Sequence, residues 1–275
     1  MVQERAYAKI NLALEVMEEK EGFHPVNNVM VPIDIYDELS FEPADTVVVA
    51  DNDIEENICI RAAEAFRKRY GIKNGVCIRL NKNIPLMAGL AGGSSDAAAT
   101  LRGLNTMFGI HAGIDELKEL ACGLGSDVPF FIEEKAALCT NRGEIVHPLN
   151  FDIPRIELLL IKPRTGLSTK AVYQSYVYHG LDRRKQLADL TAALKNKNIN
   201  AVKKNIFNDL TEPALSLSPE LRKLYSRLKE AGLQPFLSGS GPTMYLLAPT
   251  KEEIDKAEEI VSCDVYRKLC HTFSF

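Results

Sequence analysis

The chain has no Lys/Arg-rich block longer than three residues among its 275, and its formal net charge is −4. A mildly acidic surface without a basic stripe argues against nucleic acid, and against an anionic membrane, as partners. No apolar run approaches the roughly 18 residues that a membrane-spanning helix needs. The opening MVQERAYAKI lacks the pattern of a signal peptide. The six cysteines, Cys59, Cys77, Cys122, Cys139, Cys263 and Cys270, never form a C-x-x-C pair, so neither a zinc ribbon nor a thioredoxin-type site is expected. Without an export signal they are expected to be reduced, mostly buried thiols, and the compartment to be the cytoplasm. Low-complexity tracts and internal repeats are missing too.

What is present is ordinary globular material, 46% hydrophobic and 25% charged, enough for one large domain or two small ones. Ala6, Ala8, Ile10, Leu12, Leu14 and Val16 alternate with Tyr7, Lys9, Asn11, Ala13 and Glu15. Period two predicts a strand with one face on the core and Lys9 beside Asn11 on the other. Residues 27–43 predict one or two further strands, with Pro32 at an edge or a bulge. A helix is expected over 56–71, stopped by Gly71. A strand follows over 76–85, then a helix from about Ser95 to Phe108. Residues 114–125 form a helix ending in glycines, SDVPFFI leads into a strand, and a strand pair occupies 135–149. Residues 153–163 form a very apolar strand, helices dominate 169–231, and 233–249 are strand, glycine loop, strand. Strands and helices mix without regular parallel spacing, so the fold class is α+β. The weakest connection lies near 150–154, which divides the chain into 1–152 and 153–275.

The most informative stretch is PLMAGLAGGSSDAAATLRGLN, Pro85 to Asn105. It sits between a strand and a helix, with Ser94, Ser95 and Asp96 where N-capping residues belong. A helix start carries unpaired N–H groups and partial positive charge, and glycines let that backbone wrap an anion. The spacing is neither G-x-x-x-x-G-K-[ST] nor G-x-G-x-x-G. On composition alone, a flexible connection with a good cap explains it equally well.

The wording P-L-M-A-G-L-A-G-G-S-S-D-A-A resembles the phosphate-binding motif of the GHMP kinases. AYAKINLALEV (6–16) is similar to that family's N-terminal strand motif, and LSGSGPTMYLL (237–247) to its C-terminal glycine motif. The G-F-H-P at 22–25, GSDVPFF, the RGE at 142–144 and GLSTKAVY also match, so the resemblance spans nearly the whole chain. It implies a two-domain fold, with an N-terminal ribosomal-protein-S5-like α/β domain that holds the nucleotide and a C-terminal ferredoxin-like α+β domain. The implied cofactors are ATP and Mg2+. The implied acceptor is a small molecule, a cytidyl diphosphate sugar alcohol: the γ-phosphoryl group passes to the 2-hydroxyl of 4-diphosphocytidyl-methylerythritol, on the non-mevalonate route to isoprenoid precursors. Rival readings are a homoserine- or mevalonate-type kinase and a catalytically silent nucleotide-binding regulator. The chain as monomer or homodimer is left open.

Residue by residue, the resemblance makes Asp127 the base that accepts the acceptor's proton and Lys9 its active-site partner. Read alone, Asp127 is a turn residue before Val128-Pro129, and Lys9 a solvent-facing strand lysine. Nucleotide contacts are implied for Asn57, Lys82, Pro85, Leu86, Met87, Ala88, Gly89, Leu90, Ala91, Gly92, Gly93, Ser94, Ser95 and Asp96, although Asn57 equally suits a helix cap. Acceptor contacts are implied for Asn11, Phe23, His24, Thr169, Tyr173, Gly239 and Ser240, with Phe23 and Tyr173 flanking a flat base that His24 reads. The family's D-G-Y-H is E-G-F-H here (Glu21 to His24), which keeps the π-face and loses a hydroxyl. Tyr173 equally suits the core face of a helix, and Ser238 to Gly241 a tight turn between strands. No dedicated metal cage is visible, so magnesium is expected to bridge ATP oxygens.

Overall fold

The structure, a computed structural model, describes residues 1–50, 57–263 and 265–274. In chain order the elements are β1 (Val2–Val16), β2 (Val26–Ala44), β3 (Val47–Ala50), α1 (Ile58–Tyr70), β4 (Gly75–Asn81), α2 (Gly92–Met107), α3 (Ile114–Cys122), α4 (Phe130–Glu133), β5 (Ala137–Asn141), β6 (Ile145–Pro148) and β7 (Glu157–Lys162). Then come α5 (Thr169–Gln174), α6 (Arg184–Lys195), α7 (Ile199–Asn205), β8 (Phe207–Asn208), α8 (Thr211–Leu217), α9 (Pro219–Glu230), β9 (Phe236–Leu237), β10 (Met244–Leu247), α10 (Lys251–Ile260) and β11 (Tyr266–His271).

The first sheet runs β3-β4-β2-β1-β8, with β5 pairing to β2 and β6 to β5. The second runs β11-β7-β10-β9, antiparallel throughout. Numbered within that half, its order is 4-1-3-2 with helices between the first and second strands and between the third and fourth, the ferredoxin-like arrangement. The expected α+β class and its two component folds are therefore both present. The chain nonetheless returns: β8 lies parallel to β1, pairing Phe207 with Ala13 and Asn208 with Leu14.

Residues 27–43 belong to one long strand, β2, and Pro32 sits at an irregularity rather than an edge. It pairs with Lys9, and one pair further on the register jumps from Tyr7↔Tyr36 to Ala8↔Ile33. On the other side of β2, residues 26–30 bond β5 and residues 38–44 bond β4. Pro32 thus falls in the gap between the two ladders, where its missing N–H costs no hydrogen bond. A second irregularity, between Asn11 and Ala13, breaks the simple alternation of β1. The expectation of one open face on β1 fails from Ala8 onward, because every residue from there to Val16 is buried. Ile10 and Leu12 pack with Leu158, Leu160 and Tyr245 of the second sheet.

Two helical expectations shift. The predicted helix at Ser95 begins at Gly92, so Ser94, Ser95 and Asp96 lie inside its first turns and cap nothing. The cap position is Ala91, in left-handed conformation (φ 56°) with no side-chain cap bond. SDVPFFI does not run straight into a strand: Phe130–Glu133 close one helical turn behind Pro129, which buries Phe130, Phe131 and Ile132 together. Gly71 stops α1 as expected, in left-handed conformation. Glu56, the first residue of that predicted helix, lies outside the described residues.

Candidate active site

The site forms where β1 passes under the glycine loop. Lys9 and Asn11 are both buried on the face of β1 that looks into it. Lys9 Nζ donates to Asn11 Oδ1 (2.8 Å) and to the Gly89 carbonyl (3.1 Å). It lies 3.7 Å from Asp127 Oδ2. Burial pulls the proton affinity of the Lys9 ammonium below that of an ordinary lysine, and the Asp127 carboxylate opposes that pull. The solvent-facing alternative for Lys9 is excluded, since its ammonium is enclosed among polar partners. Asn11 is itself oriented by donating from Nδ2 to Asn28 Oδ1 (2.7 Å).

The C-terminal glycine loop closes the other wall. Ser238 Oγ donates to the Gly89 carbonyl (2.9 Å), and Tyr245 Oη to the Asn11 carbonyl (2.7 Å). Asn208 Nδ2 donates to the Leu237 and Gly239 carbonyls (2.9 and 2.8 Å), which ties this loop to β8. Thr169 Oγ1 and Ser240 Oγ are hydrogen-bonded at 2.9 Å. The fit is close: a Cβ at Gly89 (φ +74°) would lie 2.4 Å from the Ser238 carbonyl oxygen. Glycine is the residue that position requires.

A cleft of about 630 Å³ is lined by Lys9, Asn11, Lys82, Asp127, Thr169, Tyr173, Gly239, Ser240 and the loop from Pro85 to Ser94 apart from Leu90. Leu90, Ser95 and Asp96 are buried behind it. The first N–H groups of α2 have no earlier turn to bond to, and no side chain caps them, so a phosphate fits this cradle. Asn57 is the N-cap of α1: its Oδ1 accepts from Cys59 N–H (2.9 Å), and Ile58 rather than Asn57 lines the cleft.

Phe23 and His24 line an adjoining hollow of about 380 Å³ that shares Tyr173 and Arg142 with the cleft. His24 Nδ1 donates to the Met17 carbonyl (2.8 Å), which leaves Nε2 as an acceptor in the neutral ring. Tyr173 lines both hollows and also packs on the core around Leu14 and Leu237, so its core reading and its place at the cleft are compatible. A larger hollow, about 840 Å³, lies on the open face of the first sheet around Arg5, Glu38 and Arg79. Tyr7 is the one motif residue that lines it, whereas Lys9, Asp127 and the glycine loop all line the smaller cleft.

Several site residues carried no assigned role in the sequence. Arg142, within the RGE motif, places its guanidinium 4.2 Å from the Phe23 ring centroid. Tyr176 sets its ring edge-on to His24 at 5.5 Å and donates to the Val16 carbonyl (2.8 Å). Its only sequence signal is an aromatic one turn after Tyr173. Asn28 gave none, because its contact with Asn11 arises from the pairing of β1 with β2.

With this geometry in hand, comparison with known proteins becomes specific. Residues 57–135 match the GHMP kinases N terminal domain, and residues 190–268 the GHMP kinases C terminal domain. A 4-diphosphocytidyl-2-C-methyl-D-erythritol kinase of Thermoanaerobacter sp. (strain X514) is 36% identical over 283 residues, covering 100% of this chain and 94% of that protein. One from Caldicellulosiruptor saccharolyticus is 35% identical, covering 93% of this chain and 91% of that protein. A crystal structure of 4-(cytidine 5'-diphospho)-2C-methyl-D-erythritol kinase superposes with a TM-score of 0.83 at 29% identity, covering 99% of this chain and 100% of that one. Homoserine kinase from Cytophaga hutchinsonii shares the fold at a TM-score of 0.72 and 18% identity, covering 100% of this chain and 95% of that one.

Proposed function

The chain belongs to the GHMP kinases, and from that premise we propose that it moves the γ-phosphoryl group of ATP to the 2-hydroxyl of 4-diphosphocytidyl-2-C-methyl-D-erythritol. The observation that carries the acceptor's identity is the junction of two hollows. One holds Lys9 and Asp127, the next holds Phe23 and His24, and Tyr173 is common to both. An acceptor with a flat base at one end and a hydroxyl at the other spans them. Homoserine and mevalonate have no base to occupy the second.

Asp127 accepts the hydroxyl proton as that oxygen attacks. Lys9, 3.7 Å away, keeps positive charge beside the reacting groups. The glycine loop and the start of α2 hold the triphosphate. Asn11, Thr169, Gly239 and Ser240 position the acceptor, while Phe23 and Tyr173 offer ring faces to the base. In the neutral ring His24 Nε2 can accept from an exocyclic amine, with Glu19 Oε2 3.9 Å away as the neighbouring acceptor for that amine. ATP bound with magnesium supplies the phosphoryl group and neutralises charge on its oxygens. The ion is expected to arrive with the nucleotide. Among the described residues no helix is long and apolar enough to cross a membrane. We place the enzyme in the cytoplasm, where its unpaired thiols would persist.

The test is an ADP-release assay with ATP, magnesium and a panel of 4-diphosphocytidyl-methylerythritol, homoserine, mevalonate and galactose. Turnover with the cytidyl acceptor alone is expected. Turnover with another acceptor instead would remove the base-reading roles of Phe23, His24 and Tyr173. Nucleotide binding without any turnover would favour the regulator.

A further inference from the structure

Behind the glycine loop, three charged side chains from three separate parts of the chain meet. Lys82 follows β4, Asp37 lies on β2 and Asp96 on α2. Lys82 Nζ donates to Asp96 Oδ2 (2.7 Å) and makes a still shorter contact with Asp37 Oδ2. The other Asp37 oxygen accepts from the backbone N–H groups of Asn83 (2.6 Å) and Ile84 (2.7 Å). Asp37 is fully buried and Asp96 nearly so, while the Lys82 ammonium reaches the cleft, 3.3 Å from where a Cβ on Gly92 would stand. This arrangement fixes the approach to the loop and presents one cation at the phosphate cradle. The remaining Asp96 oxygen, Oδ1, is buried with no hydrogen-bond partner.

We infer that Asp37 is a positioning residue for the nucleotide, acting through Lys82 and the loop backbone, and that a proton held on Asp96 favours the nucleotide, so that affinity falls as pH rises. The inference rests on the ATP-binding role of the cleft. With both carboxylates ionised, two negative charges face one ammonium, a net −1 beside the site of an anionic triphosphate. A proton on Asp96 brings the cluster to zero and loosens its hold on Lys82, and both changes favour the nucleotide. The orphaned Oδ1 is the oxygen able to carry that proton without losing a bond.

Burial, followed by the Asp37 carboxylate, outweighs Lys82 and raises the Asp96 carboxyl to about 7. Burial works against the Lys82 ammonium, but Asp96 and Asp37 overcome it, so Lys82 stays charged throughout. Among the described residues the other titratable neighbour is Cys59 on α1, whose thiol burial raises to about 12, leaving it neutral.

The test measures binding of a non-hydrolysable ATP analogue with magnesium, by calorimetry, from pH 6 to 8.5 for wild type, D96N and D37N. Wild-type affinity is expected to fall roughly tenfold across that range, the size of one charge about 12 Å away at an effective dielectric near 20. D96N, locked neutral, should hold the high affinity with less than about twofold change. D37N should bind more weakly at low pH, because Lys82 and the loop backbone lose their anchor. The nucleotide's own titration is common to all three proteins and cancels in the comparison. A flat wild-type profile, or equal slopes in wild type and D96N, would overturn the inference while leaving the kinase reading intact. Absence of nucleotide binding by wild type at every pH would overturn the ATP reading and this inference with it.

Discussion

Asp127 and Lys9 lie 118 positions apart in the chain and 3.7 Å apart in space. If Asp127 takes the acceptor's proton, Asp127→Asn removes the base and keeps the shape. Turnover should fall by about 10²–10⁴, the usual range for general-base removal. The affinity for ATP, measured by calorimetry, should change little. Turnover within a few-fold of wild type would take Asp127 out of the mechanism. At the base end, Tyr173→Ala should raise KM for the cytidyl acceptor by roughly 5- to 150-fold, the equivalent of 1–3 kcal/mol for one lost stacking face. KM for ATP should be spared. An equal rise in both constants would mean that Tyr173 acts mainly through the core it packs on around Leu14 and Leu237.

At the scale of elements, the site depends on two loops held against each other rather than on either alone. The Gly89 carbonyl accepts from Lys9 and from Ser238 at once. A methyl group at Gly89 meets two carbonyl oxygens, of Ser238 at 2.4 Å and of Gly241 at 2.8 Å. It also meets a left-handed backbone (φ +74°) that alanine adopts at a cost. Gly89→Ala is expected to lower stability by about 1–3 kcal/mol in urea unfolding and to weaken ATP binding in the same protein. Normal stability with normal ATP affinity would show that the loops do not need this close approach. The sequence marked both loops through their glycines. It misplaced the start of α2, because Ser94, Ser95 and Asp96 are favoured caps wherever they occur, and only the packed loop determines that Ala91 takes the cap position.

Over the whole molecule, the two sheets share one apolar region. Ile10, Leu12 and Val31 of the first sheet pack with Leu158, Leu160 and Tyr245 of the second, and with Leu190 and Leu194 of α6. β8 also returns to pair with β1. We keep the division of the chain at 152/153 as a proposal about domains, and expect the two parts to unfold together. Differential scanning calorimetry should give one transition. Its midpoint should rise with a non-hydrolysable ATP analogue and magnesium, by linkage, as ligand exceeds its dissociation constant. Two resolved transitions would mean that the shared region does not couple the halves.

The sequence by itself determined the kind of elements and the kind of chemistry: the alternation of β1, the glycines of both loops, the stop at Gly71, and the motif wording that points to a GHMP kinase. These are local properties, set by period, backbone freedom and side-chain type within a few residues. The tertiary structure alone decided what meets what. It placed Lys9 inside the protein rather than in solvent, because the glycine loop and the C-terminal loop cover that face of β1. It set Arg142 over Phe23, and joined Asp37 to Lys82 and Asp96 across β2, β4 and α2. A buried charge is tolerable only where partners from elsewhere in the chain surround it. Those partners are defined by the packing of strands and helices, which no short stretch of sequence contains.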